Sequence, residues 1–115
     1  MNAPTRRAVA YIVGRVSGSR ATTVYDFDDA MHHHFSGTVN GAQVNIFDHS
    51  EACHITGNLP QLFHHGNAMH LQLTIDGSNF RGYDYDSAMH FQGWVRGNQV
   101  SLYDMEHAQH FNYQV

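Results

Sequence analysis

The sequence predicts an all-β protein: an antiparallel meander of repeated β-hairpins, about 20 residues per unit, curved into a small barrel or rolled sheet. Three observations predict it. One eight-residue block recurs five times, the copies are offset by even numbers of residues, and one spacer is four residues shorter than its neighbours.

The block reads [Tyr/Phe]-[Asp/His]-x-x-x-Ala-x-His and occupies residues 25–32, 47–54, 63–70, 83–90 and 103–110. A bulky apolar residue follows at once in four copies, as Ile55, Leu71, Phe91 and Phe111; in the first copy His33 and His34 intervene before Phe35. Successive aromatic starts lie 22, 16, 20 and 20 residues apart. Strand side chains alternate between faces, so only even insertions and deletions keep every residue on its face. A helical repeat has no reason to respect that parity.

All of the length variation falls between the histidine and the next aromatic. Asn40-Gly41, Asp76-Gly77 and Arg96-Gly97 supply there the chemistry of tight hairpin turns. The third spacer, around Asn58-Leu59-Pro60-Gln61, is the short one. A hairpin that loses two residues from each strand keeps its pairing, whereas a solenoid coil shortened by four no longer stacks on 20-residue neighbours. A β-solenoid with a coil of that length is the alternative architecture.

Taken in chain order, the whole of 1–115 reads as a single repeat-built domain. Residues 8–24 read as a degenerate sixth copy, because Ala10 and Ile12 fall at the offset of the block's alanine and histidine. Arg6-Arg7 followed by Ala8 to Val13 is too short for a signal peptide or a membrane helix, which makes cytoplasmic the default location. Within each block the Asp-x-x-x stretch is taken as the loop, with the aromatic opposite the alanine and the aspartate accepting from nearby backbone N–H groups. One face then carries Val24, Ile46, Leu62, Leu102, Val44, Val100 and the residue after each histidine, joined by Met69, Met89 and Cys53. That apolar face must be covered. The other face carries the histidines and the aromatic starts. At the end of the chain, Phe111 to Val115 has no charge to protect it and is an adhesive strand if its edge stays open.

Composition narrows the function classes. There is no lysine, and six arginines stand against ten acidic residues for a formal net charge of -4, so no basic stripe exists for nucleic acid. Cys53, the only cysteine, forms no intrachain disulfide. The eleven histidines admit three readings. In the first they are structural, each paired across strands with an aromatic, which contributes roughly 0.2–1 kcal/mol a pair. In the second they hold Zn, Ni or Cu, and the best local pair is His32 with His34, two apart on one strand. Equivalent histidines in a meander lie on every second strand with an aromatic between, which disfavours a metal ladder. In the third they make assembly pH-responsive.

An enzyme needs an asymmetric cluster, and near-identical copies do not supply one. The expected function is therefore a non-enzymatic structural or interaction module with no firm cofactor. Its binding face comprises Tyr25, His32, Phe47, His54, Phe63, His70, Tyr83, His90, Tyr103 and His110. The expected partners are a second copy of the chain or a repeated ligand or protein surface, with neither nucleic acid nor membrane among them.

Overall fold

The computed structural model describes residues 1–115. One helix, α1 (Ala3–Val16), precedes ten strands: β1 (Thr23–Asp26), β2 (Met31–Asn40), β3 (Gln43–Asp48), β4 (Cys53–Asn58), β5 (Gln61–His64), β6 (Met69–Asp76), β7 (Asn79–Asp84), β8 (Met89–Arg96), β9 (Gln99–Asp104) and β10 (Gln109–Gln114). Each strand pairs antiparallel with its neighbours in sequence, and β10 returns to β1, so the meander closes into a barrel. No coil stacks on coil, and the solenoid is not formed. The Phe111–Val115 edge is not open, because β10 is paired on both sides.

The two kinds of turn sit at opposite ends of the wall. At one end Gly41, Gly77 and Gly97 take φ of 60°, 59° and 61° at the first turn position, the place where a II′ hairpin requires glycine. The short spacer turns instead through Leu59-Pro60, whose peptide is cis. Its hairpin stays in register from Ile55↔His64 to Asn58↔Gln61, so the four-residue deletion shortens the strands without breaking their pairing.

At the other end lie the blocks, and here the pairing corrects the sequence reading. The aromatic start faces the histidine, not the alanine, as in Tyr25↔His32 and Tyr83↔His90. The aspartate is the last strand residue and points inward, and the alanine closes the loop in the left-handed region, at φ 51–57° in all five copies. Aspartate does bind the loop: Asp26, Asp48, Asp84 and Asp104 each accept from the backbone N–H two residues on. Parity is as expected, since Val24, Ile46, Leu62, Leu102, Ile55, Leu71, Phe91 and Phe111 are all buried. Met69 and Met89 share that face but sit beyond the packed interior and are exposed, and Cys53 is half-buried.

The main departure is at residues 8–24, which are not a sixth hairpin. Asn2 caps a helix, its side chain accepting from the Thr5 N–H, with Pro4 in the first turn. Residues Thr5 to Gly14 are all buried, so the helix is enclosed on every side. Eight strands leave room for side chains or one small ligand; this ten-stranded wall encloses α1 as the centre of its core. Tyr11 stacks on Phe35 with ring centroids 4.8 Å apart, and Gly14 lies directly under Val115. Outside, the wall presents His, Gln, Asn, Thr and Arg together with the block aromatics. No helix is long and apolar enough to cross a membrane.

Candidate functional site

The inward aspartates form a ring around the helix N-terminus: Asp26, Asp48, Asp84 and Asp104, with His64 in the fifth place. Helix residues answer that charge. Arg7 lies 3.5 Å from Asp26, Arg6 3.1 Å from Asp104, and the α-amino group contacts Asp84, Asp104 and Glu106. The Arg6 guanidinium also stacks on Phe111, 3.7 Å from the ring centroid. Burial alone would raise the Asp104 carboxyl; the hydrogen bond from His107 and the nearby α-ammonium outweigh it and hold Asp104 below the usual range. His64 behaves differently. Burial pushes its imidazole below the ordinary value against the pull of Asp48 and Asp84. Its Nδ1 accepts from the Asn67 N–H and its Nε2 has no partner. Three-ligand groups do occur in this ring, as Asp26–Asp29–His33 and Asp104–Glu106–His107. Each faces a cation, Arg7 in the first and Arg6 with the α-amine in the second.

The expected binding face lies on the outer wall. All five block histidines are exposed and all five aromatic starts are half-buried. The pairs share one geometry: Tyr25–His32, Phe47–His54, Phe63–His70, Tyr83–His90 and Tyr103–His110 stand edge to face with centroids 4.8–5.1 Å apart. A second ring joins most of them from the third block position, as Phe27, His49, His65 and Tyr85 lie 4.8–4.9 Å from their own aromatic starts. The rings of His32 and His34 are held by different neighbours: His32 packs on Tyr25, while His34 stacks on His49 at 4.6 Å.

The wall is concave in several places. Between β7 and β10 a groove of about 450 Å³ is lined by Arg81, Gln92, Trp94, Ser101, Tyr103 and His110, with Asp76 and Asn79 at one end. Register explains the gathering: Arg81↔Gln92↔Tyr103↔His110 runs across four strands, and Asn79↔Trp94↔Ser101 is the next row. Gly93 also lines the groove, and a Cβ on it would collide with the Ser101 carbonyl oxygen and the Phe80 ring. Arg96 covers Trp94 at 4.4 Å. The groove thus offers an aromatic plane with guanidinium, amide, hydroxyl and carboxylate groups around it. Tyr103 and His110 belong to the expected face, whereas Trp94, Arg81 and Gln92 join them only through pairing across strands.

Fold and surface together define a class: a ten-stranded meander barrel filled by its own preceding helix, with repeated aromatic–histidine pairs outside. No protein-family profile, characterised protein or solved structure matches the chain.

Proposed function

We propose that this protein is an interaction module that binds an extended, hydroxyl-rich polymer such as a glycan along the outer wall of its barrel. The observation that carries the reading is the division of the molecule. The lumen where a closed barrel would hold a ligand is filled by α1, and the aromatic–histidine pairs are turned outward in every block. Equivalent pairs recur on every second strand, roughly 10 Å apart, which suits a ligand that itself repeats. The β7–β10 groove is the natural anchor, because recognition sites combine an aromatic plane with a few convergent polar groups.

Affinity electrophoresis through gels cast with neutral and acidic polysaccharides tests this. At least one polymer is expected to retard the protein, and Trp94→Ala and Tyr103→Ala are expected to relieve the retardation by tenfold or more in polymer concentration, about 1.4 kcal/mol. Migration unchanged across the whole panel would defeat the proposal.

A further inference from the structure

We infer that Ser50 is a nucleophile activated by His33 and positioned by Asp29, able to accept an acyl group from a small activated ester or a phosphoryl group from a phosphorofluoridate. The inference is independent of the groove and goes beyond binding.

It begins where the repeat breaks. Only the first block carries the insertion His33-His34 between its histidine and the following phenylalanine. The insertion sets His33 on the inner face at the rim, 8% exposed, beside the loops of the first two blocks. One loop contributes Asp29 and the other Ser50. Asp29 Oδ2 lies 2.7 Å from His33 Nε2, and Ser50 Oγ lies 3.0 Å from His33 Nδ1. A carboxylate can only accept, so it selects the tautomer with hydrogen on Nε2. That leaves the Nδ1 lone pair free to take the Ser50 hydroxyl hydrogen, the division of roles in a nucleophile–base–carboxylate relay.

The surroundings keep the relay charged at the right place. Burial would raise the Asp29 carboxyl, but the hydrogen bonds from His33 and from the Met31 N–H, with the nearby Arg7 charge, hold it low. Arg7 also faces Asp26 and Glu51, so the rim beside His33 holds three carboxylates and one guanidinium. The Ser50 backbone N–H donates to Asp48, which fixes the loop while the side chain stays exposed to solvent. The molecule holds its own controls. Ser36 meets His49 at 2.8 Å and Thr56 meets His65 at 2.9 Å, but neither imidazole is hydrogen-bonded to a carboxylate.

The chemistry balances without a further reactant. Ser50 Oγ attacks the carbonyl carbon of the ester, the carbon–oxygen bond to the leaving alcohol breaks, and the hydroxyl proton passes through His33 to that alcohol. Water then releases the acid by the same route. With diisopropyl fluorophosphate, the phosphorus–fluorine bond breaks as the phosphorus–oxygen bond forms, fluoride leaves, and the proton passes by way of His33 to solvent.

That reagent is the test. Folded protein is treated with diisopropyl fluorophosphate and the adducts are mapped by peptide mass spectrometry. Both serines touch an imidazole, and only His33 has its tautomer fixed by a carboxylate, a role worth up to roughly 10⁴-fold in a complete relay, so Ser50 should be modified at least about 10²-fold faster than Ser36. Ser50→Ala should abolish this adduct with an unchanged melting curve. Asp29→Asn, which no longer selects the tautomer, should slow labelling and displace its pH profile while circular dichroism is unaltered. No adduct on Ser50, equal rates on Ser50 and Ser36, or an Asp29→Asn profile identical to the parent would each overturn the assignment.

Discussion

At Ala88 the backbone stands at φ 57°, and the same left-handed residue recurs at Ala30, Ala52, Ala68 and Ala108. That region costs an L-residue about 1–2 kcal/mol, which glycine escapes at the expense of a more mobile unfolded chain. Ala88→Gly is therefore expected to raise stability by about 0.5–1 kcal/mol, and Ala88→Val to lower it by more, both read from urea midpoints. The sequence shows the alanine in every copy but not its conformation, because a left-handed turn is ordinarily announced by Gly or Asn. His64 is the other residue where the site departs from its repeat. Its imidazole is depressed by burial, so protons favour the unfolded chain, and the contribution present above about pH 6.5 is lost as pH falls below it. Asp29 and Asp104, also held low, act in the same direction at lower pH, below the ordinary carboxylate value. The melting temperature is thus expected to fall between pH 8 and pH 5, and His64→Asn, which keeps an acceptor for the Asn67 N–H, should flatten that fall. A flat profile for the parent protein would contradict the assignment.

Among the elements, the helix was the least legible and the strands the most. Even offsets and turn residues reveal a meander of about ten or eleven short strands, of which ten form, since each exposes one face and buries the other. The helix is buried all round, so Ala8 to Val13 shows no amphipathic period to read. Its signal is at the start, where Asn2 and Pro4 supply the cap and first turn. The groove was legible only in part, because Trp94, Arg81 and Gln92 meet by register across strands and not by spacing along one. Packing of α1 against the end of the chain gives a sharp test. A Cβ on Gly14 would stand 2.7 Å from Val115 Cγ2, against the helix preference for alanine. Gly14→Ala should destabilise through overpacking, Val115→Ala should relieve it, and the double-mutant cycle should show a coupling of at least about 1 kcal/mol.

For the molecule as a whole, the wall is continuous but not uniform. Strands β2 and β3 share six paired positions, whereas β1 and β10 share only Tyr25↔Gln114 and Asp26↔Tyr113, supplemented by the Phe27 N–H on the Asn112 carbonyl. Local opening begins where few backbone bonds hold. Native-state hydrogen exchange is expected to find the Phe27 amide the least protected of the five equivalent loop amides, behind His49, His65, Tyr85 and Met105. Uniform protection around the barrel would contradict a weak seam. The enclosed helix also bears on how such a molecule comes to exist. Because α1 precedes every strand, synthesis delivers the centre before the wall, and each hairpin that emerges has a surface waiting for it. The seam joins residues from opposite ends of the sheet, so the ring can shut only after the last strand has left the ribosome. Until then the growing protein is an open ribbon wound part-way round a spindle, and the shortest ladder in the barrel is the one that must form last.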